Sequence, residues 1–276
     1  MPELPEVETI RRQLAPVVSG RTIEHATAHG SAKFVEALDV IGAKIEDVKR
    51  RGKYLLFGLQ DDRELIVHLG MTGQLLPTKQ PQPDDSATND SPANEYVRAA
   101  WDFDDGSALL YRDVRRFGRI RVVDVGDYAT IATLDQLGPE PFDNAFTPTH
   151  LHAAIKRSTR RLKTQLLSQR PVAGLGNIYA DEALWQAQVY PAARTLSMPA
   201  AKRLHQAIVE VLQAAIANGG TTLRDYRNAL GDAGENQFHL QCYGRGGEGC
   251  LRCANPLRSR VWDARTTTWC PTCQPR

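Results

Sequence analysis

Four of the chain's five cysteines fall late and in pairs: Cys250-x2-Cys253, sixteen intervening residues, then Cys270-x2-Cys273. Each pair can present two thiolates from one tight turn, and two such turns close a tetrahedron around zinc. Four protein ligands leave no position for water, so the spacing predicts one structural Zn2+ that staples a segment too small for its own core. Cys242 lies outside the spacing and is expected to be a buried thiol.

Arg245, Arg252, Arg258, Arg260 and Arg265 crowd the same segment. A metal-held hairpin bearing arginine suits phosphate or groove contacts, with a merely solvated surface as the alternative. PVAGLGNIYADEAL (171–184) sets two glycines before a helix, whose free N–H groups and Asn177 can face an anion. Lys156, Arg157, Arg160, Arg161 and Lys163 precede it, which suggests a phosphate clamp. RDVRRFGR (112–119) places Phe117 among arginines, either as core or as a wedge between bases. Met71, in HLGMTGQL (68–75), is flanked by glycines and is expected at a loop tip. Glu3, Glu6 and Glu8 suit a helix N-terminus, which leaves Pro2 unexplained.

These residues need elements to hold them. Val7, Ile10 and Leu14 recur at helical spacing, predicting a helix over 5–18 that Pro16 ends or bends. Strands are expected at 53–59, 64–70, 96–103, 107–111 and 118–124, short segments that suit an antiparallel sandwich or barrel. A polar surface loop is expected at 77–94 and an interdomain linker at 137–150. Helices are predicted over 151–168 and 177–189, then along a stripe from Leu204 to Ile216 that stops at Gly219-Gly220. The expected parts are therefore a β domain over 1–136, the linker, a helical part over 151–237 and a cysteine module over 238–276.

The net charge of +2 conceals a division: residues 81–105 carry −6, which leaves +8 elsewhere. A basic body with an acidic insertion suits a polyanion such as nucleic acid. No run of about 18 apolar residues occurs, so no membrane helix is expected. The acidic first residues lack the regions of a signal peptide, and a cytoplasmic protein is the default expectation.

Together, MPELPEVETIRR, RRGKYL, HLGMTG, RRFG, GLGNIYADEALW and the four-cysteine finger resemble the bacterial formamidopyrimidine-DNA glycosylases, in order from Met1 to Cys273. The resemblance implies an α+β multidomain fold: an N-terminal β-sandwich with a flanking helix, a helix–two-turn–helix domain and a zinc finger. It also implies a monomer without an obligate protein partner, associated with the bacterial nucleoid through its substrate, damaged double-stranded DNA. The implied activity is excision of oxidised purines followed by strand cleavage at the abasic site.

On this resemblance the initiator methionine is removed and Pro2 is the nucleophile, forming an iminium that supports β- and then δ-elimination. Glu3 takes the acid–base role and Glu6 supports it. Lys53, His68, Asn177 and Arg265 correspond to phosphate-contacting positions. Met71, Arg115 and Phe117 correspond to the side chains that fill the gap left by the flipped nucleotide. Residues 218–238 match the glycine-rich loop covering the extruded base. Two departures stand out: the long acidic loop at 77–94, and Cys242 where a β-branched residue is more usual. One rival is the sister class acting on oxidised pyrimidines, which usually has glycine after Pro-Glu where Leu4 stands here. Another is a non-catalytic zinc-finger DNA-binding protein.

Overall fold

The computed structural model describes residues 1–78 and 96–276. Contacts group them into two units: Met1–Ala132 with Gly219–Gly234, and Thr133–Asn218 with Glu235–Arg276.

Helix α1 (Leu4–Val18) opens the first unit. Val7, Ile10, Leu14 and Val18 are buried along one face, as an amphipathic helix on a core requires. Pro16 lies inside the last turn and does not end the helix, which runs two residues further. At that depth the proline removes a single bond, and Ser19 N–H still reaches Ala15 O at 3.1 Å to close the turn.

Eight strands follow: β1 (Ile23–Ala28), β2 (Ile45–Arg51), β3 (Tyr54–Leu59), β4 (Arg63–His68), β5 (Gly73–Thr78), β6 (Val97–Phe103), β7 (Ala108–Asp113) and β8 (Arg119–Asp124). They form two antiparallel four-stranded sheets, ordered β1-β6-β7-β5 and β2-β3-β4-β8. Phe57 and Val67 from one sheet, Trp101 and Tyr111 from the other, and the apolar face of α1 join one hydrophobic cluster. The sheets are thus two layers over a shared core. Sequence reading found β3, β4, β6, β7 and β8 but not β1, β2 and β5. Those three are edge strands, and segments such as IEHATA and IEDVKRR bury too few residues to alternate. The polar loop starts later than expected, because Pro77 and Thr78 pair with Leu109 and Ala108. An edge strand tolerates the proline. The rest of that loop, from 79 on, lies outside the described residues.

After the short helix α2 (Ala132–Asp135), the second unit holds α3 (Pro148–Lys156), α4 (Leu162–Leu167), α5 (Asn177–Gln186) and α6 (Met198–Ala217). The single helix expected over 151–168 is two. Leu162 and Lys163 send their N–H groups to Ala193 O and Pro191 O, and Gln165 Nε2 donates to Ser158 O and Arg160 O. Leu151, Ile155, Leu162 and Leu166 are all buried, so the apolar period carries across the break and hides it. Residues 137–150 pack into this unit: Gly138 N–H meets Gln169 O at 2.9 Å, and buried Phe146 stacks on His205 at 4.5 Å. Residues 219–234 instead group with the sheets, because Tyr226 and Ala229 enter the sandwich core. Strands β9 (Arg258–Trp262) and β10 (Arg265–Trp269) form a hairpin beside the cysteines. No helix among the described residues is long and apolar enough to cross a membrane.

Candidate functional site

In the first unit, Pro2, Glu3 and Glu6 are all buried at the start of α1. Glu6 accepts the Glu3 N–H on one carboxylate oxygen at 2.7 Å and the Thr221 N–H on the other at 2.7 Å. Tyr226 Oη donates to Gly219 O at 3.2 Å, which closes the 219–226 turn. Gly220 has φ +84°, and a Cβ there would press on the Glu6 carboxylate at 2.9 Å. Only glycine permits that approach. The carboxylate therefore joins the first turn of α1 to the glycine-rich loop.

Lys53 occupies the two-residue turn between β2 and β3, after Gly52 at φ +57°. Arg50 braces the turn: its Nη1 donates to Gly52 O at 3.0 Å and its Nε to Glu8 at 3.2 Å. Lys53 is buried. His68 pairs with Tyr54 across the sheet, with ring centroids 4.7 Å apart. Its Nδ1 accepts the Gly70 N–H at 3.1 Å, which assigns the proton to Nε2. Burial, then Lys53 and Arg119, push its pKa down to about 4. His68 is thus a neutral donor at pH 7, able to bind an anion without carrying charge.

Met71 is 37% exposed and Phe117 47%, and Arg115 lies 4.7 Å over the Phe117 ring. Phe117 is not a core residue. The two tips interlock, since a Cβ on Gly70 would strike the backbone of Phe117 and Gly118. Gly70 and Gly118 permit this close passage, since a Cβ on Gly118 would in turn strike the Tyr111 hydroxyl and His68 O.

In the second unit, Gly176 caps α5 and Asn177 is its first residue. The Asn177 Oδ1 is buried and has no hydrogen-bond partner among the described residues. Lys163 is not part of a clamp: it is buried, with Nζ 2.7 Å from Asp181 and donating to Thr266 O at 2.8 Å. Desolvation raises the Asp181 carboxyl to about 7, against the opposing pull of Lys163. Arg161 binds Asp263 at 3.0 Å at the hairpin turn. Arg245 is occupied by Glu248, and Arg252 stacks 4.2 Å over Trp185. Arg258, Arg260 and Arg265 remain exposed on the hairpin. The crowd of basic residues thus divides into structural and available members.

The sulfurs of Cys250, Cys253, Cys270 and Cys273 lie within 4.8 Å of one another. A zinc tetrahedron with bonds of about 2.3 Å sets sulfurs about 3.8 Å apart, so the four residues fit the ion. Trp185 Nε1–H and Cys273 N–H point at Cys250 and Cys270 sulfurs at 3.4 and 3.3 Å, as outer partners of thiolates do. Cys242 is fully buried and donates to Thr268 O at 3.2 Å. Burial, then the carboxylates of Asp181 and Glu182, raise its pKa.

Sequence reasoning missed the residues that dock this module. Glu182 accepts the N–H groups of Gln241, Cys242 and Tyr243 at 2.9, 2.8 and 2.7 Å, and Asp181 accepts that of Thr268 at 2.9 Å. The adjacent acids of YADEAL were the available signal: two consecutive carboxylates in an otherwise apolar helix need donors.

Sandwich, helical unit and four-cysteine cluster define a protein with a helix–two-turn–helix domain and a C-terminal four-cysteine module. Residues 1–120 match the formamidopyrimidine-DNA glycosylase N-terminal domain and residues 137–227 the formamidopyrimidine-DNA glycosylase H2TH domain. A formamidopyrimidine-DNA glycosylase of Thermus thermophilus is 44% identical, covering 99% of this chain and 98% of the relative. The crystal structure of the MutM (Fpg) protein from Thermus thermophilus superposes with a TM-score of 0.88 at 43% identity, over 99% of this chain and 98% of that one. The Lactococcus lactis Fpg in complex with abasic-site DNA gives 0.86 at 36% identity, over 99% and 100%. The chain belongs to the formamidopyrimidine-DNA glycosylase family.

Proposed function

We propose that this chain excises oxidised purines, 8-oxoguanine and formamidopyrimidines, from duplex DNA and then cuts the strand at the abasic site. The observation that carries this reading is the Glu6 carboxylate, which holds the Glu3 N–H and the Thr221 N–H at one buried point. A mere helix cap needs no such link to a distant glycine loop.

On removal of Met1, the Pro2 amine becomes a secondary amine; free α-amino groups titrate at about 8, and moderate burial favours the neutral, nucleophilic form. Its lone pair attacks the sugar C1′ as the bond from C1′ to the base breaks. Glu3 protonates the ring oxygen, the ring opens and an iminium forms at C1′. Loss of a C2′ proton expels the 3′ phosphate, a second elimination expels the 5′ phosphate, and water then releases the sugar remnant from Pro2. Lys53, His68, Asn177 and Arg265 bind phosphates around the lesion. Met71, Arg115 and Phe117 occupy the space the nucleotide leaves, and the 219–234 loop covers the base. Cys250, Cys253, Cys270 and Cys273 hold Zn2+, whose chemistry is structural: it secures the hairpin that bears Arg265. The enzyme acts as a monomer in the cytoplasm, on DNA.

Borohydride trapping of a covalent adduct on 8-oxoguanine duplex tests this. Wild type forms the adduct, and Pro2→Gly combined with Glu3→Gln abolishes it. An undiminished adduct in the double variant overturns the mechanism, and strong preference for a thymine glycol duplex overturns the substrate class.

A further inference from the structure

Asp113 closes β7 with no side-chain exposure at all. The hydrogen bonds to its carboxylate come from neutral donors. Oδ1 accepts the Thr72 hydroxyl at 2.6 Å, and Oδ2 accepts the Gly118 N–H at 2.8 Å and the Tyr111 hydroxyl at 3.4 Å. Each carboxylate oxygen thus holds a different loop: Oδ1 the one that carries Met71, Oδ2 the one that carries Arg115 and Phe117. Thr72 adds a cross-link, because its Oγ1 also accepts the Arg115 N–H at 3.1 Å. The backbone carbonyl of Asp113 is itself fixed by buried Arg98 Nε at 2.9 Å.

A buried carboxyl group is costly unless hydrogen bonds satisfy it, and each donor it recruits is held firmly in return. The glycines remove the remaining slack, since a Cβ on Gly70 would overlap the Phe117–Gly118 backbone and one on Gly118 would overlap the Tyr111 hydroxyl. Arg116, between the two tip residues of its loop, stands at φ +54°. This is a left-handed conformation that a non-glycine residue keeps only when its surroundings impose it.

We propose that Asp113 and Thr72 are positioning residues that make Met71, Arg115 and Phe117 a single rigid wedge, and that this coupling sets discrimination of the base opposite the lesion. The inference rests on the reading that these three side chains enter the duplex. A wedge that moves as one body meets the orphaned base at a fixed height and angle. Tips that move separately adapt to either partner base and lose selectivity.

Thr72→Val removes the hydroxyl at nearly constant volume, and Thr72→Ser restores it. Excision of 8-oxoguanine is measured opposite cytosine and opposite adenine. Borohydride trapping is measured on an abasic site facing a one-nucleotide gap, where no opposite base exists. Hydrogen exchange is followed over residues 69–73 and 113–118. Thr72→Val is expected to lower kcat/KM opposite cytosine on the order of tenfold. It should also narrow the cytosine-to-adenine ratio, raise exchange in both loops together and leave gapped-substrate trapping unchanged, with Thr72→Ser restoring wild-type behaviour. A Thr72→Val enzyme with wild-type discrimination, or one that loses gapped trapping as much as duplex excision, overturns the proposal while leaving the catalytic reading standing. A wild type that traps neither substrate overturns both.

Discussion

Glu6 and Thr221 lie 215 residues apart in the chain, yet the Thr221 N–H donates to Glu6 Oε1 at 2.7 Å. The other oxygen of the same carboxylate serves the Glu3 N–H. Glu6→Gln keeps the volume but turns one oxygen into a donor, leaving a buried N–H without an acceptor at a cost of about 1–3 kcal/mol. The expected outcome is faster exchange at Thr221 in the 219–234 loop and an excision rate reduced on the order of tenfold. Unchanged exchange at Thr221 would remove the link from the mechanism.

His68 should stay neutral across the physiological range. Its folded pKa of about 4 lies below the ordinary value of 6.5, so its contribution to stability is complete above 6.5 and is lost as pH falls toward 4. In an NMR titration its ring resonances should not move between about pH 8 and pH 6, with a midpoint near the depressed value. A midpoint near 6.5 would contradict the burial and the neighbouring Lys53 and Arg119 as its cause.

Glu8 provides the acid-side counterpart. Burial works to raise its pKa, but hydrogen bonds from Arg11 and Arg12, with the charge of Arg50, hold it at about 2. A depressed carboxyl contributes stability above its ordinary value of 4.5 and loses it as pH falls through about 2. Glu8→Gln should therefore destabilise the fold at pH 7 on the order of 2 kcal/mol, with the gap to wild type closing between about pH 4.5 and pH 2 in denaturant unfolding. A gap independent of pH would refute the ion-pair origin.

Arg265 and Arg252 separate phosphate contact from packing. Arg265 is exposed beside the hairpin turn, whereas Arg252 lies over Trp185 and donates to Trp185 O at 3.1 Å. Arg265→Ala should flatten the salt dependence of DNA affinity by about one charge. Arg252→Ala should leave that slope intact and lower the melting temperature. An unchanged slope for Arg265 takes it off the phosphate list.

Chelation should act on the finger first. Bound zinc at one equivalent is the expected metal content, and Cys253→Ser should abolish it. DNA affinity should fall while the sandwich retains its unfolding transition, because four thiolates in place of a core hold the module. Full affinity after complete metal removal would contradict a structural ion.

Much was legible in the order of residues because local rules are periodic or chemical. The two CxxC pairs announced four thiolates wherever the chain went, since their spacing is a property of the turn. The α1 stripe followed from one-sided burial, and β3, β4, β6, β7 and β8 from short apolar runs set between turn residues. Pro2 and Glu3 were recognised through resemblance, and their roles remain the proposal above. Tertiary structure decided what depends on distant partners. It split 151–168, where Leu162 and Lys163 donate to Ala193 and Pro191, and it recovered edge strands whose sequences bury too little to alternate. It withdrew Lys163 into a pair with Asp181 and set Asp113 between two loops more than forty residues apart. A charge carries no mark in sequence of whether water or a carboxylate will meet it. Only the folded chain supplies the partner, and with it the difference between a hand for DNA and a bolt in the frame.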